Sequence, residues 1–439
     1  MVWWDTNGGI IPQGIVPRRI HATIFALLLL VTLVDRGVSL GAEPKKKIVP
    51  VPLPLLPALQ EWIATLDAAP SAGGAMDADR VYIPIQPEEL VALSRASGAK
   101  LWTRAIESMW PPVVIGDALY VAASDEIHAL DAATGAEKWR VGFENPMIAP
   151  LAAAPARIPL ARRSSESEGG NSESRIPASD RVIGVFQKGV VIAFAADDGR
   201  MLWMHALGAP SRFAPAIDGM RAIFALDDSR AVALSLADGH VEWEQKLEGM
   251  LNQPSFAHDR VFVGSDKNFL YALDNDKGRI AWKWKTGGDV IGTSGDVRGG
   301  AYYASLDNVL RAVNRGNGNQ RWIKEIPARP LMPPQTLGGG ITYDEIVVIT
   351  GATSEIDAFA AKTGALVGMY QPPSDLQGPP LIDPVLQPYQ VAMVVITRDG
   401  RAIGLKPSAM LLQEPVSTPL SAELPGRRLE RERILPATR

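Results

Sequence analysis

A glycine followed four residues later by a tryptophan recurs along this chain, at Gly98/Trp102, Gly135/Trp139, Gly199/Trp203, Gly239/Trp243, Gly278/Trp282 and Gly318/Trp322. The intervals between these tryptophans are 37, 64, 40, 39 and 40 residues, the long one holding an insertion. A period of about 40 marks a repeat architecture whose single units cannot bury their own faces. Before each glycine lies a strand of alternating apolar residues, as in LYALDNDKG over 270–278, and the Asp, Asn and Gly that close it mark a hairpin. Glycine is needed because such turns demand positive φ. One strand further upstream stand RVYIPI, ALYVAA, RVIGVF, RAIFAL, RVFVGS and GAYYAS. Each unit therefore has room for four short antiparallel strands, the size of a propeller blade.

Two imperfect copies complete the set. Residues 354–370 repeat the strand and turn with Gly364, but Gly368 stands where tryptophan is expected. Residues 391–408 supply two strands and no glycine-to-tryptophan segment. The missing outer strand is available at the other end of the chain, in QEWIATLD over 60–67, whose Trp62 lies 40 residues before Trp102. The expected fold is all-β, an eight-bladed β-propeller of four-stranded antiparallel blades closed by the N-terminal strand, which removes an exposed edge. Of 11 tryptophans, seven share this register, counting Trp62. They are expected to pack between blades, since a ligand has no use for seven equivalent platforms and aromatic rings bury large areas.

The remaining segments carry expectations about location and chemistry. Arg18 and Arg19 precede an apolar run over 22–34. It is short for a bilayer span, which takes roughly 20 residues, and suits the core of a secretory signal. Residues 1–42 are therefore expected to be a signal peptide or N-terminal membrane anchor, and 43–58 an extended Pro-rich linker. The propeller is expected over 59–410, interrupted by a flexible insertion, rich in Ser, Glu and Gly, at 152–178, and followed by a disordered tail over 411–439. With 44 Lys plus Arg against 48 Asp plus Glu, the net charge of -4 offers no basic face to nucleic acid. The absence of cysteine removes disulfides, thiolate metal sites, thiol nucleophiles and lipid attachment through cysteine.

No catalytic or metal-ligating set is expected. His21, His128, His205, His240 and His258 show no metal-ligand spacing, and the Asp197–Asp198 and Asp227–Asp228 pairs read as turns. Asp274, Asp276 and Gly278 open like a calcium loop, but Lys285 stands where that loop needs a bidentate acid.

The pattern of strand, ALD, turn and G-x-x-x-W, clearest in LYALDNDKGRIAW and IHALDAATGAEKW, resembles the tryptophan-docking repeat of the quinoprotein-like, or PQQ-like, propellers. The resemblance runs from about Trp62 to Ser408 and implies one of two branches. Quinoprotein dehydrogenases hold pyrroloquinoline quinone (PQQ) and calcium in the central channel. BamB-like proteins are non-catalytic scaffolds of outer-membrane protein assembly. Many quinoprotein alcohol dehydrogenases carry a vicinal cysteine pair and long inserts, which this chain lacks apart from one substantial insert, so the resemblance points to the scaffold branch. It implies an exported protein, periplasmic or associated with the cell envelope, with envelope proteins as partners, among them an outer-membrane barrel assembly complex. Membrane contact would come only through the N-terminal segment or a partner. The alternatives are a PQQ-dependent dehydrogenase and a propeller that binds a small ligand or carbohydrate.

Overall fold

The computed structural model describes residues 58–156, 179–296, 298–338, 345–383 and 390–407. These residues form eight four-stranded antiparallel sheets. The fifth blade shows the pattern: Ser255–Ala257, Arg260–Ser265, Phe269–Asp274 and Ile280–Lys285 pair in sequence order. First strands of neighbouring blades touch one another, so they converge on the axis, and the fourth strands form the exposed circumference. Second strands such as Arg181–Phe186 are buried along their whole length because a blade lies against each face. This is why they read as continuous Val, Ile, Phe and Tyr runs. Eight apolar clusters fill the molecule, one between each pair of adjacent blades.

The eighth blade is built from both ends of the propeller sequence. Ala58–Thr65 pairs with Arg401–Pro407, which pairs with Met393–Thr397 and so with Leu381–Ile382. Trp62 faces Gly404 across this pairing. Alanine holds that place opposite Trp102, Trp139, Trp203, Trp243, Trp282 and Trp322, so a small residue under the indole is a rule of the repeat. In the third blade, Ala152–Ala154 is the first strand and pairs with Arg181–Phe186, so residues 152–154 belong to the blade. Alanines suit that place, where first strands crowd together around the axis. The expected leader, most of the Pro-rich linker, the heart of the insertion and the C-terminal tail lie outside the described residues. Among the described residues no helix is long and apolar enough to cross a membrane.

Candidate functional site

The glycine and tryptophan of one repeat do not meet each other; each tryptophan reaches the glycine of the next blade. Trp62 lies against Gly98, Trp102 against Gly135, Trp139 against Gly199, Trp203 against Gly239, Trp243 against Gly278, Trp282 against Gly318 and Trp322 against Gly364. Gly98 has φ of 71°, and a Cβ there would come within 2.5 Å of the Trp62 ring, so both conformation and contact require glycine. The indole N–H then donates to the backbone carbonyl three residues before that glycine. The acceptors are Arg95, Ala132, Ala196, Leu236, Asn275, Arg315 and Ala361, at 2.8 to 3.2 Å. A buried N–H is thereby satisfied at all seven joints, and each aromatic ring covers the neighbour's hairpin.

At three of these joints a tyrosine of the second strand shares the same carbonyl. Tyr82 reaches the Ala132 oxygen at 3.1 Å, Tyr120 that of Ala196 at 2.7 Å and Tyr302 that of Ala361 at 3.2 Å. A carbonyl has two lone pairs, so it can serve both donors. Tyr82 and Tyr302 also approach carboxylates, Asp77 at 2.6 Å and Asp296 at 2.5 Å. Burial first, then the neighbouring Asp296, pushes the Tyr302 hydroxyl far above its ordinary pKa, so it remains a donor. Each such tyrosine faces alanine three residues before the glycine of the following repeat. That signal is legible once the repeats are aligned, although the recurrence of glycine and tryptophan alone does not disclose it.

Other joints are clasped by ions. Arg95 of the first blade reaches back to the eighth, donating to Asp383 at 2.5 Å and, through Nε, to the Val391 carbonyl at 2.8 Å. Arg315 joins the sixth blade to Asp259 of the fifth at 3.1 Å. Between the fourth and fifth blades the buried Arg221 contacts Asp218, Glu242 and Asp276 at 2.9, 2.5 and 3.2 Å, while Asn275 donates to Asp218 at 2.6 Å. These clasps lie on the face that carries the turns between first and second strands and between third and fourth strands.

At two of the joints where alanine takes the clasping position, Ala196 and Ala361, a cavity remains. One of about 420 Å³ lies between the second and third blades, lined by Asp117, Tyr120, Lys138, Asp180, Ala196 and Asp197. Another of about 460 Å³ lies between the sixth and seventh, lined by Asp296, Arg298, Tyr302, Arg321, Glu345 and Lys362. The opposite face carries the loops that join consecutive blades, and three of them present large apolar side chains. Met109, Met250 and Leu331 are 49%, 42% and 57% exposed. Their backbones are nevertheless held: Met109 N–H donates to Ala122 O and Leu331 N–H to Thr350 O, while Met250 O accepts from Asp266. The loops thus offer apolar tips on a fixed frame.

The titratable residues singled out in the sequence are scattered. His128 stands between Glu126 and Glu137 at 3.2 and 3.0 Å, His240 bonds Asp238 at 2.6 Å, and His205 lies on a fourth strand opposite Val191. His258 occupies a turn with φ of 57°, and His21 lies outside the described residues. Asp198 accepts the Arg200 N–H, while Asp227 and Asp228 pair with Arg212 and Arg230. Asp274 Oδ1 accepts the N–H groups of Asp276 and Lys277 at 3.1 and 3.0 Å, so this carboxylate caps its own hairpin. Among the described residues no three His, Asp or Glu side chains are placed to hold a metal.

Comparisons with known proteins place this geometry in a family. A family model described as outer membrane protein assembly factor BamB matches residues 60–159, 86–253 and 244–394, together more than half of the chain. The chain is 25% identical over 217 residues to a tetrathionate hydrolase of Acidithiobacillus ferrooxidans, covering 45% of this chain and 43% of that protein. It is 21% identical over 248 residues to an outer membrane protein assembly factor BamB of Moranella endobia, covering 48% of this chain and 63% of that protein. The chain thus spans less than two thirds of either curated relative. Among solved structures, BamB from Moraxella catarrhalis superposes with a TM-score of 0.59 at 17% identity, over 80% of this chain and 97% of that one, a likeness of fold. The eight blades, joined by seven docked tryptophans, and the match across 60–394 together make this chain a member of the BamB-like family of PQQ-like β-propellers.

Proposed function

We propose that this protein is a non-catalytic interaction scaffold of the bacterial cell envelope that serves outer-membrane protein assembly as BamB-like proteins do, and that it is exported to the periplasmic side. The observation that carries this reading is the rim of inter-blade loops. Met109, Met250 and Leu331 stand exposed on backbones fixed by hydrogen bonds, and rigid apolar tips suit a protein partner because little order is lost on binding. The family match supports the choice of partner. The reading requires no cofactor.

The test is photo-cross-linking in intact envelopes, with the cross-linker placed at 109, 250 or 331 and at the fourth-strand position 103 as control. The expected result is capture of a large outer-membrane barrel protein or its assembly partners from the loop positions and not from 103. Equal capture from 103, or none from the loops, would overturn the reading. The cavity between the second and third blades favours a second reading, a small-ligand or catalytic propeller, which the likeness to a tetrathionate hydrolase also supports.

A further inference from the structure

Arginine opens the second strand in four blades, as Arg80, Arg181, Arg221 and Arg260. Three of these are paired with a carboxylate of the preceding turn: Arg80 with Asp77 at 3.3 Å, Arg221 with Asp218 at 2.9 Å and Arg260 with Asp259 at 2.8 Å. Arg181 is the exception. It is only 6% exposed, its one hydrogen bond among the described residues runs from Nη1 to the Ser179 carbonyl at 2.6 Å, and its buried Nε, like that of the carboxylate-paired Arg260, has no partner there. The adjacent Asp180 is turned away and accepts the Ala156 N–H at 2.7 Å. Burial pulls the Arg181 pKa down with no neighbouring charge opposing it, as expected of a guanidinium desolvated alone.

The next blade shows what is missing. Around Arg221, Asp218 binds Nη1, Glu242 binds Nε and Asp276 binds Nη2. In the repeat register, Leu202 stands before Trp203 where Glu242 stands before Trp243, and Ala237 follows Leu236 where Asp276 follows Asn275. Residue 178, the counterpart of Asp218, is alanine in the sequence and lies outside the described residues. The cation has been kept and its three anions replaced by shorter or apolar side chains. The orphaned atom, Nε, is the one that Glu242 serves in the next blade.

We propose that Arg181 is the receptor of a carboxylate supplied from outside the propeller, entering between the third and fourth blades at the place that Glu242 fills one joint further on. An isolated buried charge is costly, and an incoming carboxylate that makes charge-assisted bonds to Nε and its neighbour offsets that cost. The depth of Arg181 restricts the ligand to a carboxylate on a slender stem: an acidic side chain, a chain terminus or a small free carboxylic acid. This inference does not rest on the scaffold reading.

Thermal melts of the whole protein test it, with sodium acetate replacing sodium chloride at equal ionic strength. Acetate is expected to raise the melting temperature of the native protein by a few degrees, and Arg181→Met to abolish that response. Leu202→Glu should supply the carboxylate internally, raising the melting temperature in chloride and removing the acetate effect. A response of Arg181→Met equal to that of the native protein would overturn the proposal, as would a Leu202→Glu protein that keeps the native response. If Arg181→Met does not fold, Leu202→Glu decides alone. A capped Gly-Glu-Gly peptide and its Gly-Gln-Gly counterpart separate the sources. Half-maximal effect of the Glu peptide well below that of acetate assigns the site to a polypeptide, and the reverse order to a small acid; no effect of any carboxylate refutes it.

Discussion

At the residue scale, the repeat works because two small residues enclose each indole: alanine under six of the seven and Gly404 under Trp62, with the next blade's glycine over each. Substitution at either place adds a methyl where the ring already lies, as the Gly98 contact shows. The least comfortable residue is Asp357, on the third strand of the seventh blade. It is buried, its Oδ1 has no partner, and burial, with a smaller push from Glu355, raises its pKa to about 6. A carboxyl whose folded pKa exceeds its unfolded one contributes stability below the unfolded value and loses that contribution as pH rises through about 6. The native protein is therefore expected to melt at a lower temperature at pH 7.5 than at pH 5. Asp357→Asn should flatten that slope and gain about 1–2 kcal/mol at the higher pH. Urea denaturation at both pH values checks it, and parallel pH dependence of the two proteins would show that another group is responsible.

At the scale of elements, the two imperfect repeats explain each other. A tryptophan is useful only if the next blade offers a hairpin between its third and fourth strands. The eighth blade has none, because its fourth strand, Ala58–Thr65, comes from the other end of the chain. The seventh blade accordingly carries Gly368 opposite Ala358, in the tryptophan's place. The N-terminal strand completes the last sheet and also docks Trp62 on the first blade, where the Arg95–Asp383 pair reinforces the joint. Removing residues 58–67 exposes a sheet edge and breaks both links, so the melting temperature is expected to fall by more than 10 °C, with partial recovery on adding the same segment as a peptide. Circular dichroism melts measure this, and an unchanged transition would mean that the ring does not depend on that closure.

At the scale of the whole molecule, seven joints share one lock and the eighth lacks it. Among the described residues, the joint between the seventh and eighth blades relies on its apolar cluster and on contacts to the connecting loop such as Gln335 Nε2 to the Pro380 carbonyl at 3.2 Å, with no indole donating across it. The ring is therefore expected to open there rather than at the junction of its chain ends. The chain contains no cysteine, so single thiol probes are clean. Val348→Cys, buried in that cluster, is expected to react with a thiol reagent faster than Ile223→Cys, buried at the joint between the fourth and fifth blades. Equal rates would place the weakest joint elsewhere.

The repeat in the sequence, six glycine–tryptophan spacings and two imperfect copies, determined by itself the blade count, the closing strand and the identity of the inter-blade residues, because a hairpin that needs positive φ and a ring that needs a neighbour are both local demands repeated in register. Tertiary structure decided the direction of docking, since Trp102 meets Gly135 and not Gly98, and it decided which joints are clasped by ions and which keep cavities. Those outcomes depend on residues 30 to 288 positions apart meeting across a joint, and their chemistry varies from repeat to repeat. The isolation of Arg181 is partly of this kind: an aspartate precedes it directly, as one precedes Arg80 and Arg260, and only the structure shows Asp180 bonded to the Ala156 N–H instead of to the guanidinium.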